Sequence, residues 1–134
     1  MNHERYQRQM LIPEIGADGQ ARLSEARVLV AGCGALGCTI ADLLARAGVG
    51  HLRIVDRDLV ELTNLQRQVL FTESDVGAPK AFAAARRLEA VNSDIEIEPH
   101  TKDINPSTVR KLAADCDLIV DGLDNFETRY LLND

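Results

Sequence analysis

The stretch Arg27-Val28-Leu29-Val30-Ala31-Gly32-Cys33-Gly34-Ala35-Leu36-Gly37 decides the fold, together with the run His51-Leu52-Arg53-Ile54-Val55-Asp56 that follows it. Val28 to Ala31 are apolar without alternation, the pattern of a strand buried on both faces in a parallel sheet. Gly32, Gly34 and Gly37 follow at G-x-G-x-x-G spacing. The first glycine allows a tight turn, the second lets a phosphate approach the backbone, and the third lets a helix pack on the strand. The helix predicted from Ala35 turns free N–H groups and its positive end toward that spot, which suits an anion. A second strand ends at Asp56, about twenty residues past the last glycine, where an acid takes ribose hydroxyls. A lone glycine motif is a weak signal. Strand, glycines, helix, strand and acid in this order point to a nucleotide site rather than a glycine-rich turn.

Length and composition bound the rest. The chain has 134 residues, 46% hydrophobic and 27% charged, which is ordinary globular usage and enough for one core. It reads as a single nucleotide-binding domain over residues 1–134. The fold class is Rossmann-like α/β, a mostly parallel sheet flanked by helices, with a helical arm over residues 1–25. A net charge of −6 and a pI near 5.0 argue against nucleic acid or an anionic membrane as partner. No apolar run approaches membrane-spanning length, and no signal peptide follows Met1. Cys33, Cys38 and Cys116 form no C-x-x-C pair, which fits a reducing cytoplasm. Cys33 in the glycine loop has the setting of a reactive thiol, but a small buried filler is the better reading.

The remaining chain supplies the other candidates. Residues 3–10 suit a short helix with Arg5 and Arg8 on one face, and spacing alone makes that a solvated basic face. Asp18 to Ser24 suits a second helix anchored by Leu23. Residues 57–71 mix apolar anchors with Asn64, Gln66, Arg67 and Gln68 in no clear period, and a loop this long between elements is usually functional. Asn64 and Arg67 stand three apart, so one helical turn aims them together. A helix begins near Ala78 with Pro79 in its first turn, and its core face is read as Phe82, Ala85, Leu88 and Val91. Lys80 opposes the helix dipole, as a tolerated surface residue or for a bound anion. Residues 94–98 alternate as a half-exposed strand. A short helix is capped by Asn105 or Ser107, with Leu112 inward. Asp117 to Asp121 read as another buried strand, and a last helix begins at Phe126. Asp124 lies just beyond the carboxyl end of that strand, where ligands of open α/β sheets sit. There a carboxylate most simply holds Mg²⁺, or caps the following helix.

Five motifs in order carry a resemblance. Arg5-Tyr6-Gln7-Arg8-Gln9, Gly32-x-Gly34-x-x-Gly37, Asn64-Leu65-Gln66-Arg67-Gln68, Gly77-Ala78-Pro79-Lys80 and Asp121-Gly122-Leu123-Asp124-Asn125 together resemble the ThiF/MoeB/HesA family. The family contains bacterial relatives of ubiquitin-activating enzymes. The resemblance implies an enzyme, an adenylyltransferase using ATP and Mg²⁺. Its partner is a ubiquitin-like sulfur carrier protein, whose C-terminal glycine carboxylate it activates with release of pyrophosphate. It further implies a homodimer. By the match, Gly32, Gly34, Ala35, Leu36, Gly37, Asp56, Asp58, Asn64, Arg67 and Lys80 contact the nucleotide. Asp56 holds the ribose; Asn64, Arg67 and Lys80 hold phosphates; Asp124 holds the metal. Arg8 reaches the phosphates of the neighbouring protomer, so Arg8, Arg67, Lys80 and Asp124 form the catalytic set. Family members continue with the rest of the sheet, a crossover loop and often paired C-x-x-C zinc motifs, a downstream half that residues 1–134 do not contain. The alternatives are an NAD-binding dehydrogenase domain and a catalytically inert ATP-binding fragment.

Overall fold

The computed structural model describes residues 3–123 and 126–134, and the side chains of all of these but 126–128. Four strands form one parallel sheet: β1 (Arg27–Ala31), β2 (His51–Val55), β3 (Glu96–His100) and β4 (Leu118–Asp121). Their order is β3-β2-β1-β4. The chain therefore winds outward from β1 on one side, then crosses back to place β4 on the other. This reversal is the switch point of a Rossmann-like sheet, and it opens a crevice beyond the carboxyl ends of β1 and β4. β1 is central, with Val28 opposite both Leu52 and Leu118, and its residues 28–31 are buried as the apolar run requires.

The helices are α1 (His3–Met10), α2 (Gly16–Glu25), α3 (Ala35–Ala47), α4 (Lys80–Val91), α5 (Val109–Ala113) and α6 (Phe126–Asn133). Side chains of α3 and α4 bury one sheet face through Ala41, Ala45, Ala81, Ala84, Ala85 and Leu88 against Val30, Leu52 and Ile54. The opposite face packs Leu29, Ala31 and Val55 with Leu112 of α5 and residues of α6. α3 meets β1 at a backbone contact. A Cβ on Gly37 would stand 1.9 Å from the Gly32 carbonyl oxygen, and one on Gly122 would stand 2.8 Å from the Gly37 Cα. Gly32 itself has φ +92, which an L side chain resists.

Four sequence expectations need correction. The core stripe of α4 is 81, 84, 85 and 88, and Phe82 is 49% exposed. Steps of three residues drift around a helix of 3.6 residues per turn, so positions 82 and 91 lie roughly half a turn apart and cannot share a face. β4 is half-buried instead of fully buried, with Leu118 exposed, because it has a described neighbour on one side only. In α2 the fully buried residue is Gln20, while Leu23 is only partly covered. α5 begins later than expected; Asn105 accepts the N–H groups of Ser107 and Thr108 through Oδ1 and so organises the turn before it.

Gln20 belongs to a polar seam that fastens the arm. Gln20 and Gln9 donate to the Ala47 carbonyl at 3.0 and 2.7 Å. Asn92 donates to the Tyr6 hydroxyl and to the Ala45 carbonyl, and Arg5 donates to the Val91 carbonyl at 3.1 Å. The acceptors are last-turn carbonyls of α3 and α4, which a helix leaves without internal partners.

Two predictions follow from this packing. Gly37→Ala forces the helix off the strand and should destabilise the chain by about 1–3 kcal/mol or more, read from the denaturant midpoint. The second concerns Glu98, which meets Arg53 at 3.0 Å, His51 at 3.1 Å and His100 at 2.9 Å. Burial pushes the Glu98 carboxyl up, but hydrogen bonds from His100, Arg53 and His51 outweigh it and lower it to about 2 from 4.5. The unfolded chain therefore takes up a proton that the folded chain refuses, and stability falls with pH in that window. The advantage of the parent over Glu98→Gln should be full above about pH 4.5 and vanish as pH falls through about 2.

Candidate functional site

The glycine loop, the ends of β2 and β3, the turn at 62–67 and the start of α4 converge on one cavity of about 530 Å³ at the switch point. A volume of this size suits a small-molecule ligand. Gly34 forms its floor, with extended backbone at φ −81, and a Cβ there would find only Gln68 Nε2, at 4.0 Å. The space above the second glycine is open, as a phosphate needs. Ala35 and Leu36 open α3 at the same place and line the cavity. Gly37 is buried in the helix–strand contact behind it.

Asp56 is held rigidly. Its two carboxylate oxygens accept the Cys33 and Asp58 backbone N–H groups, each at 2.8 Å, and its own N–H donates to the His100 carbonyl. Two of roughly four acceptor positions of the carboxylate are thereby used, and the others are free for hydroxyl donors. Asp58 also lines the cavity, and its carbonyl takes the Lys80 N–H at 2.9 Å, tying the β2 loop to α4. Leu59 pairs with Pro79 in an isolated bridge that reinforces this tie.

Asn64 and Arg67 sit on the turn that follows, a 3-10 turn at Leu62–Asn64. Asn64 is 8% exposed, and its Oδ1 caps the turn by accepting the Glu61 N–H at 2.8 Å. Its amide nitrogen has no acceptor among the described residues. Lys80 is 7% exposed, so it is no surface lysine. Among the described residues no carboxylate pairs with Lys80, Arg67 or Lys102, all of which line the cavity. Three cations near one concavity repel each other, and an anion is what relieves them.

The sequence did not single out Arg57, Lys102, Asp103 or Arg129, which also line this cavity. Arg57 pairs with Asp103 at 3.5 Å, and Arg129 pairs with Asp121 at 3.0 Å. Lys102 and Asp103 follow β3, and only the strand order shows that β3 delivers its loop to the same end as β2. Gln68 lay within a quoted motif without a role; it is buried against the cavity.

Two candidates stand apart. Asp124 lies outside the described residues. Arg8 does not line the cavity; it is exposed on α1, whose seam grips the far end of α3. α3 has 13 residues, so the two ends are roughly 20 Å apart at 1.5 Å per residue. Cys33 is fully buried, and its contact with Cys38 and its burial push the thiol well above the usual range. The filler reading of Cys33 therefore stands.

The family model described as "ThiF family" matches residues 6–134. The sulfur carrier protein ThiS adenylyltransferase of Bacillus subtilis (strain 168) is 50% identical over 132 residues, which span 97% of this chain and 39% of that protein. The sulfur carrier protein adenylyltransferase of Thermus thermophilus is 45% identical over 131 residues, 98% of this chain and 48% of that protein. The crystal structure of E. coli MccB with ATP superimposes with a TM-score of 0.82 at 36% identity, over 92% of this chain and 38% of that one. The chain thus spans under half the length of each of these three relatives. Matched from residue 6 to residue 134, with the glycine loop, fixed acid and cationic turn in one cavity, the chain belongs to the ThiF family.

Proposed function

We propose that this chain forms the nucleotide-binding part of an ATP- and Mg²⁺-dependent adenylyltransferase. Its substrate is the C-terminal glycine carboxylate of a ubiquitin-like sulfur carrier protein, and pyrophosphate is released. The observation that carries the reading is the convergence of Arg67, Lys80 and Lys102, without carboxylate partners among the described residues, on the glycine loop beside the fixed Asp56. A dinucleotide-binding dehydrogenase accounts for the glycines and Asp56 but not for Arg67, Lys80 and Lys102 together. A triphosphate accounts for all of them.

The chemistry needs no general base, because the nucleophile is a carboxylate already ionised at neutral pH. It attacks the α-phosphorus, and negative charge grows on the departing pyrophosphate. Arg67, Lys80 and the Asn64 amide would stabilise that charge from fixed positions. Among the described residues no group of three or more His, Cys, Asp or Glu could hold a metal. Mg²⁺ in nucleotide sites is held through one or two carboxylates together with the phosphates. Asp124 would be that carboxylate, and the ion would add positive charge at the phosphates. Three free cysteines support a reducing cytoplasm, and no helix among the described residues is long and apolar enough to cross a membrane.

Arg8 would serve the site of a second copy in a homodimer. Its distance from its own cavity supports this, since an arginine one helix length away cannot reach phosphates there.

Calorimetry with ATP and NAD tests the nucleotide directly; NAD binding without an ATP signal would sink the reading. Asp56→Ala should weaken ATP by about 1–3 kcal/mol with or without Mg²⁺. Asp124→Ala should instead abolish the metal dependence of binding. For the homodimer, Arg8→Ala and Lys80→Ala chains extended to the length of their relatives should each be nearly inactive in pyrophosphate exchange. Random subunit exchange makes half the dimers mixed, each with one intact site, so about a quarter of parental activity should return. A flat baseline after proven exchange would rule out a role in trans.

A further inference from the structure

Gln68 closes the turn that carries Asn64 and Arg67, held there by its N–H on the Asn64 carbonyl at 2.9 Å. Its side chain is 3% exposed, yet it lines the cavity. Oε1 is buried with no hydrogen-bond partner, and no described residue accepts from Nε2. A buried amide oxygen in this state disfavours folding, because it leaves water without a donor to replace it. Packing alone would favour an apolar side chain of the same length. The amide nitrogen has no acceptor among the described residues either, and it is the donor that a ligand entering the cavity can use.

The position of the amide says what that is. Among the described residues beyond its chain neighbours, Nε2 is the atom that a Cβ placed on Gly34 would meet, at 4.0 Å. Gly34 precedes the first turn of α3, where free N–H groups and the helix dipole favour a negative ligand. A carboxamide offers two N–H donors there without charge. It can bind a phosphate oxygen without adding another cation to Arg67, Lys80 and Lys102.

We propose that Gln68 is a further phosphate-positioning residue of this site, donating through its amide to a phosphate group seated over Gly34. The inference rests on the ATP reading above. Three properties follow. The amide acts on phosphate and not on the nucleoside. Its removal weakens the ligand while leaving the empty fold as stable or more so. A negative charge at the same atoms is worse than an apolar side chain.

The test is thermal melting and calorimetric titration of the parent chain, Gln68→Met and Gln68→Glu, with ATP and with adenosine as the phosphate-free control. Gln68→Met should melt at or above the parent, bind ATP about tenfold or more weakly, and bind adenosine as the parent does. Gln68→Glu keeps the shape of glutamine and should bind ATP more weakly still. ATP affinity in Gln68→Met equal to the parent's would overturn the inference and leave the ATP reading intact. Equal losses for ATP and adenosine, or a lower melting temperature for Gln68→Met, would make Gln68 a structural residue and overturn it too. A parent that binds no ATP would remove the ATP reading itself, and this inference with it.

Discussion

The site depends on one contact between backbones. Gly37 lies against the Gly32 carbonyl on one side and Gly122 on the other, with no room for a single methyl group between them. That approach brings the start of α3 down onto the end of β1 and beside the exit of β4. Without it the helix would stand off by a side-chain width, and its free N–H groups would face a wider, wetter gap. The strand reversal supplies a crevice, but only the glycine contact makes it narrow enough to grip an anion. Every polar group of the cavity is placed relative to that point, from the Asp56 carboxylate on the Cys33 N–H to Lys80 tied through Asp58.

The centre of the fold was legible because its signals are local. Four buried residues, three glycines and an acid at the end of the next strand lie within thirty residues, and each is decided by backbone sterics or by burial on both faces. Asn64 and Arg67 were placed together by one turn of helix spacing. What the sequence hid depends on longer range. Lys102 and Asp103 reach the cavity because β3 lies next to β2 in parallel, a fact of strand order. Phe82 was misplaced because three-residue steps drift off a helix face, while the true stripe of α4 is made largely of alanines, which carry little pattern. Gln20 gave no hint of burial, since its partners are carbonyls at the end of a helix that begins fifteen residues later.

The cavity combines two attitudes to charge. Around its rim Arg57 and Arg129 are neutralised by Asp103 and Asp121, so they shape the wall without adding net field. Buried Lys80 and exposed Arg67 have no such carboxylate partner among the described residues, and the first turn of α4 and the 62–67 turn hold them in place. A site of this kind is less stable empty than filled. It trades some stability of the fold for electrostatic readiness, as sites built for charged ligands commonly do.

The seam beneath the arm has a consequence for how the arm can behave. An apolar seam tolerates sliding, because oil against oil has no preferred register. Gln9 and Gln20 instead both donate to the Ala47 carbonyl, and Asn92 donates to the Tyr6 hydroxyl of the arm as well as to the Ala45 carbonyl, in a single alignment. A shift by one residue would break these bonds and leave the Ala47 carbonyl without its side-chain donors. The arm is therefore a key with cut teeth: it is seated or it is out, with no graded positions between, and whatever α1 carries on its outer face is presented at one fixed angle.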